Sequence, residues 1–595
     1  ENLDIIIKSM EEIRKVAESN LKRIQEGYKY EEDLMNAVKT AVRQNPEVPM
    51  SPYMKNALQK YDKVDDEFRL MTGAPITKAE QYIHARMVEI AIKLHGPKRT
   101  EYDENLPIDS FDHYGVDVWR NLKDDLRQVQ PGQAKQRAEI ANVFASPPDK
   151  LDIITMIKKD ARFQTALKFV LDRLPTVNAS EVFMRYNAPY LKYDSNTGYP
   201  YGRNDKLPVN INGKRQNYTY GELTIREMTS KGYLKDPRQI PIVTATWGRD
   251  QRGKGRLIEA TNRYQVLYCN QLVGAESEAY KVKSSLFSGF WNVAARKTQA
   301  IKNRNLLRMP QFSEYTLSNF DYESYDSTIP QQYLMLDGAI SFIKTNNAYG
   351  KKVAIVQGAW SLYQSVYDGT VGKIRTFFGR QYSGQSRTAI GGSRMNAVMS
   401  VDAQVNLDKD WVNVANAFEN LGGIAIAVLG DDLKILHRKS IDKKKLSGTV
   451  KNRSHTILHP DKGELGEFFL QFRLFNLEDE DYYVIAWTRI IRSIFFKERA
   501  MGLGPLGWVM AVWQVLTGCI EYRPAFNECV RLVAEFDEYK LGSVLTLAQL
   551  KEQLKREDAE ALKKDPLRGK TSAEKLTDMN PNYEGIVSKI GDKME

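Results

Sequence analysis

A chain of 595 residues with 42% hydrophobic and 27% charged positions exceeds the length at which one hydrophobic core stops growing, so several subdomains are expected and a disordered or fibrous polypeptide is excluded. A formal charge of +11 favours a polyanionic partner, nucleic acid ahead of a membrane surface. Cys269, Cys519 and Cys529 form neither a disulfide framework nor a Cys/His metal signature and read as core residues of a protein from a reducing compartment, and His84, His95, His113, His437, His455 and His459 are too scattered for a zinc site.

The opening run ENLDIIIKSMEEIRKV is amphipathic and charged, a helix pattern without signal-peptide architecture, and the missing initiator Met suggests a trimmed or processed chain. Residues 1 to about 190 read as largely helical, broken by loops such as NPEVPMSPY and SPPDK. From there to about 310, short strands and loops take over and the segment is basic. DSNTGYPYGRN offers a tight turn at Thr197 and Gly198. WGRDQRGKGRLIEATNR carries Arg249, Arg252, Lys254, Arg256 and Arg263 in a Gly-bearing hairpin. Such a hairpin suits the oxygens of a triphosphate, although a solvated loop is the commoner outcome for a basic run.

Between 311 and 480, short apolar strands alternate with helices, an α+β pattern. In LSNFDYESYDSTIP a strand ends at Asp321, and Asp326 precedes a helix that STIP is expected to open with a Ser/Thr cap and Pro in the first turn. RQYSGQSRTAIGGSRMNAVMSV puts Ser383 and Gly384 in a loop and Thr388 at a helix start. Asn396 follows a little over two turns on, and Gly391 and Gly392 keep one helix face bare for packing or a ligand. VLGDDLK then sets Asp431 and Asp432 where a strand turns. Gly-Asp-Asp alone arises by chance in about one chain in ten of this length, so it decides nothing by itself. Asp321 and Asp431 on neighbouring strands would repel each other unless divalent cations neutralised them.

Beyond 480 the chain reads as helical again to about 568. MGLGPLGWVMAVWQVLTGCI is uncharged, but its Gly, Pro and Gln residues favour a buried helix beginning near Leu506 over a membrane span. Residues 569–595 have few apolar anchors and read as an extended tail, expected either to occupy a product channel or to serve as a tether. No internal repeat or low-complexity tract is present.

Taken in order, SNTGYP, GKGRLI, Asp-x4-Asp, SGxxxTxxxGSxxN and GDD resemble motifs G, F, A, B and C of viral RNA-dependent RNA polymerases. HPDKGE, with Lys462, and FFLQFRLF, around Leu470 and Gln471, are similar to motifs D and E. The forms DYESYDSTIP and SGQSRTAIGGSRMN are most similar to those of the picobirnavirus and partitivirus group of double-stranded RNA viruses. The resemblance spans roughly residues 195–475. It departs from the family in FFLQF, where a Phe-Leu-Gly form is usual, which leaves the hairpin's grip on the primer terminus open.

The resemblance implies an α+β fold, a closed right hand of fingers, palm and thumb with an antiparallel palm sheet. The implied division is a helical N-terminal extension bridging fingers and thumb at 1–150, fingers at 151–310, palm with motif A at 311–345, and fingers again at 346–382. Palm with motifs B to E follows at 383–480, then a helical thumb at 481–568 and the tail at 569–595. Asp321 and Asp431 would bind two Mg²⁺ or Mn²⁺ ions with Asp432 adjacent. Asp326 and Asn396, with Ser383 or Thr388, would read the ribose 2′-hydroxyl. Lys254 and Arg256, with Arg249 and Arg252 nearby, would hold the base and triphosphate, and Lys462 would be the general acid. Thr197, Gly198, Gly384, Leu470 and Gln471 would contact RNA.

The implied activity is RNA-directed RNA polymerisation that replicates and transcribes a viral genome. Its partners would be RNA template and product, NTPs and a viral capsid protein, with no membrane, inside the virion and in the host-cell cytoplasm. A reverse transcriptase would carry a bulky aromatic at position 326 and an aromatic-x-Asp-Asp turn. A basic nucleocapsid or capsid protein would explain the charge but not the acids.

Overall fold

The computed structural model describes residues 2–44, 78–122, 151–179, 206–211, 214–219, 228–251, 254–368, 373–378, 381, 385–495, 516–535 and 556. At its centre is a four-stranded antiparallel sheet of order β10-β5-β9-β8, built from β5 (Tyr315–Tyr322), β8 (Ile426–Leu429), β9 (Asp432–Arg438) and β10 (Leu458–Leu465). β5 is buried at every position but Asp321, as expected of a strand covered on both faces, so its sequence shows no clean polar alternation. The Thr388–Leu407 helix packs against β8, β9 and the Ala161–Leu171 and Lys443–Ser454 helices. It is buried continuously from Ile390 to Val405, which explains a sequence without an amphipathic stripe.

Two hairpins, β1 (Lys206–Ile211) with β2 (Lys214–Thr219) and β3 (Val243–Gln251) with β4 (Lys254–Thr261), precede the central sheet in the chain. The second is extended by β6 (Tyr363–Asp368), parallel to β3, and by β7 (Lys373–Phe378), giving the order β4-β3-β6-β7. The chain thus leaves the central sheet after β5 and returns to the earlier one before the Thr388–Leu407 helix. A third sheet joins β11 (Phe468–Phe469), β12 (Phe472–Leu477) and β13 (Glu480–Ile485).

Among the described residues the expected helical opening is present and divides between two cores. The Asn2–Gln44 helix lies on the Gln331–Ile343 and Ala348–Trp360 helices, where Ile13 fits against Gly338 and Gly358. The Lys78–His95 and Phe111–Asn121 helices instead share a core with the C-terminal Trp487–Phe495 and Arg523–Glu535 helices. Buried ion pairs reinforce that junction: Asp117 with Arg473 on β12, and Asp109 with Arg304. One local expectation differs. Pro330 is itself the N-cap of the Gln331–Ile343 helix, because Ser327 and Thr328 belong to a preceding turn, Tyr325–Thr328, whose hydroxyls bond back to Ser324.

All three cysteines are buried and free. Among the described residues no helix is long and apolar enough to cross a membrane. The helix expected near Leu506 and the tail at 569–595 lie outside the described residues.

Candidate active site

Leu429 pairs with Asp432, so Gly430 and Asp431 form a two-residue connection between β8 and β9. Gly430 has a φ of 59°, the left-handed geometry that the first position of such a loop demands and that a Cβ resists. Asp431 is exposed at the tip, and Asp432 opens β9 directly opposite Asp321 on β5. Cross-strand partners hold their Cβ atoms about 4.5–5.5 Å apart. The tertiary fold therefore brings Asp321, Asp431 and Asp432 to one end of two adjacent strands.

Their environments differ. The Asp432 carboxylate accepts from Asn319 Nδ2 at 2.6 Å and from the Leu470 amide at 3.1 Å. Burial pushes its pKa up to about 6 despite those two bonds, and the neighbouring Asp431 charge adds to the rise. Asp432 thus joins the central sheet to the β11–β12 hairpin. That hairpin turns through Leu470 (φ 51°) and Gln471 (φ 71°), the left-handed pair of a tight two-residue loop, here made without glycine. Below it, Lys434 bonds Glu467 at 2.6 Å.

Asn396 sits on the Thr388–Leu407 helix and faces the same turn. Its Nδ2 donates to the carbonyls of Gly430 at 2.9 Å and Asp432 at 3.1 Å, and its Oδ1 accepts from Ser400 Oγ at 3.0 Å. Ser393 Oγ accepts from the Gly430 amide at 2.8 Å. Asp326, in the short Tyr325–Thr328 turn, meets Gln381, whose Nε2 donates to Oδ1 at 2.8 Å. Gly391 and Gly392 do keep a face of the helix bare, and the reason is packing. A Cβ at Gly391 would lie 2.6 Å from Asp337 Oδ2, and one at Gly392 would lie 2.9 Å from Gln381 Nε2.

Lys462 lies in β10, the edge strand beside β5. Leu458 pairs with Tyr322, whereas the next registered pair is Gly463 with Phe320, so residues 459–462 bulge out alongside Asp321. The Lys462 side chain is exposed there. In the β3–β4 hairpin the register sets Arg249 opposite Arg256 and Gln251 opposite Lys254. Thr388 is the first residue of its helix. Thr197, Gly198, Arg252, Ser383 and Gly384 lie outside the described residues.

Thr316, Ser318 and Phe320 alternate with Leu317, Asn319 and Asp321 along β5. With His437 they line a cavity of about 730 Å³ on the face of the sheet opposite Asp321. Among the described residues no group of three or more His, Cys, Asp or Glu side chains forms a ready metal cage. The donor set nevertheless fits Mg²⁺ or Mn²⁺. These hard ions are held by one or two carboxylates plus substrate phosphates and water, and Asp321 and Asp431 could supply that pair of oxygen donors.

Three contributors escape sequence reasoning. Asn319 had a usable signal, being two residues before Asp321 and so on the same strand face. Gln381 and the buried cluster of Asp337, Arg387, Arg394 and Glu276 had none, since their partners come from remote helices.

No protein-family model and no curated protein matches this chain. Among solved structures, the chain is similar to an insertion-loop deletion mutant of the RNA-dependent RNA polymerase of a human picobirnavirus. The TM-score is 0.52 at 12% identity, over 87% of this chain and 92% of that one. It is also similar to the RNA-dependent RNA polymerase of a human picobirnavirus, with a TM-score of 0.51 at 12% identity over 74% of this chain and 82% of that one. At such identity the likeness establishes the architecture: a right-hand polymerase fold of mixed helix and sheet.

Proposed function

We propose that the chain is an RNA-directed RNA polymerase that copies a viral RNA genome from NTPs. The observation that carries this reading is the register placing Asp321 opposite Asp432, with Asp431 at the adjoining turn and the Lys462 bulge alongside. In the reaction the 3′-hydroxyl of the growing RNA attacks the α-phosphate of an NTP, the bond to pyrophosphate breaks, and the hydroxyl proton leaves to solvent. Asp321 and Asp431 would hold two divalent ions, which, when bound, favour the alkoxide and neutralise charge on the phosphates.

The chain's own groups supply the rest. Asn396 and Ser393 hold the Gly430 turn that carries Asp431. Lys462 delivers a proton to the departing pyrophosphate, and Arg249, Lys254 and Arg256 of the β3–β4 hairpin bind the triphosphate. Asp326 stands for sugar selection, a hydrogen-bonding acid where a reverse transcriptase would need a bulky ring. The packing of the N-terminal helices on both cores supports a closed hand. RNA contacts are to phosphate and ribose and hence salt-sensitive. A capsid protein is the proposed partner in the particle, with action there and in the host cytoplasm.

The test is incorporation on an RNA template with Mg²⁺ or Mn²⁺ and either NTPs or dNTPs. The expected result is NTP incorporation, abolished in Asp321→Ala and Asp431→Ala while RNA binding persists. Preference for dNTPs would favour a reverse transcriptase, RNA binding without synthesis would favour a nucleocapsid protein, and wild-type rates in either Ala variant would refute the metal assignment.

A further inference from the structure

We propose that Gln381 is the positioning residue for sugar selection: it clamps Asp326 so that its carboxylate meets the 2′-hydroxyl of the incoming nucleotide. This rests on the polymerase reading above and assigns a residue that neither the motifs nor the spacing single out.

The clamp has two bonds. Gln381 Nε2 donates to Asp326 Oδ1 at 2.8 Å, and the Gln381 amide donates to the Asp326 carbonyl at 3.1 Å. The amide orientation follows from its surroundings. Nε2 also faces the Thr388 carbonyl at 3.4 Å, so turning the group over would set an oxygen against a carboxylate and a carbonyl. The side chain is 2% exposed, and its Oε1 has no hydrogen-bond partner among the described residues. A buried acceptor left bare is costly, and a fold retains one where the donor end of the same group does something needed.

Space for the clamp is made by glycine. A Cβ on Gly392 would come within 2.9 Å of Gln381 Nε2 and 3.5 Å of its Oε1. The Tyr325 hydroxyl donates to the Gly392 carbonyl, so the turn bearing Asp326 is seated on the same bare stretch of helix. Asn396 is occupied elsewhere. Both hydrogens of its Nδ2 are spent on the carbonyls of Gly430 and Asp432, so serving a ribose as donor would require it to release the turn. Of the two amide side chains here, the one bonded to Asp326 is therefore Gln381.

The experiment measures kcat/KM for an NTP and for the matching dNTP on one primed RNA template, in wild type, Asp326→Ala, Gln381→Leu, Gly392→Ala and the double variant Asp326→Ala/Gln381→Leu. Gln381→Leu keeps the bulk and removes the donor, and Gly392→Ala displaces the amide from the other side. Both should narrow the NTP-over-dNTP ratio by about tenfold or more, and the double variant should be no less selective than Asp326→Ala alone. A merely structural role would depress both substrates alike and leave the ratio intact. An unchanged ratio in Gln381→Leu and Gly392→Ala beside a narrowed ratio in Asp326→Ala overturns the clamp and leaves the polymerase reading standing. No synthesis by the wild type overturns that reading itself. If Gln381→Leu does not fold, the ratio in Gly392→Ala decides.

Discussion

Asp337→Ala should be among the most damaging single changes outside the cleft. Asp337 is fully buried on the Gln331–Ile343 helix, with Oδ2 accepting from Arg387 Nη2 at 2.6 Å and Nε at 2.9 Å, and Oδ1 from Arg394 Nε at 2.7 Å. Arg394 also bonds Glu276 on the Arg263–Lys283 helix. Burial by itself would raise the Asp337 pKa, but the two guanidiniums overrule it and hold the carboxyl below its usual range. Two acids balance two bases, so the cluster is neutral as built. Removing Asp337 strands a buried guanidinium charge, a loss of about 3–5 kcal/mol, large against the roughly 5–15 kcal/mol by which a typical domain is stable.

A chain with several cores does not melt as one unit, so the assay is the thermal midpoint of near-ultraviolet dichroism together with the half-life of synthesis at 37 °C. Arg394→Met/Glu276→Gln removes one charge of each sign and should be milder than Asp337→Ala. An Asp337→Ala protein with the wild-type midpoint and half-life, or a double variant that is the worse of the two, would refute charge balance as the reason these groups stay buried.

Other outcomes are expected. Asp432→Asn should keep the Leu470 amide contact while weakening the bond from Asn319, so synthesis should fall less than in Asp321→Ala or Asp431→Ala; comparable losses in single-turnover assays would place Asp432 among the ligands instead. Lys462→Ala should slow the single-turnover rate by about 100-fold, with Arg partly restoring it and RNA affinity unchanged; an equal loss of affinity would remove the general-acid role. Replacing Gln471, held at φ 71°, with Gly should stabilise the hairpin by roughly 0.5–1 kcal/mol, read as a higher thermal midpoint.

Burial lowers the His95 pKa to about 4, and its Nε2 accepts from Trp487 Nε1 at 3.1 Å. The unfolded chain therefore takes up this proton near pH 6.5 while the folded one resists until near 4. The stability contributed by neutral His95 is intact above about pH 6.5 and is lost as the pH falls toward 4. His95→Gln should flatten that part of the melting profile, and an unaltered slope would contradict the assignment.

Much of the local structure was legible. Gly430 before two acids marked a tight turn because glycine accepts that φ without strain, whereas the hairpin around Leu470 and Gln471 was expected only from the resemblance of FFLQFRLF to motif E. The β3–β4 hairpin was readable from glycine placement, and the helix does start at Thr388, although no side chain caps it. The Pro330 cap was misplaced because Ser327 and Thr328 bonded back to Ser324, a competition that local pattern does not rank.

The chain's order of acids, glycines and basic residues determined which chemistry was possible, since residue type and near-neighbour geometry are local properties. Only the tertiary structure decided who stands beside whom. Asp321 faces Asp432 through strand register, Asn396 is spent on the Gly430 turn, and Gln381 reaches Asp326 across a sequence separation of 55 residues. Hydrogen-bond partners so far apart are chosen by how buried elements pack and which polar atoms must be satisfied there, and no spacing along the chain encodes that choice.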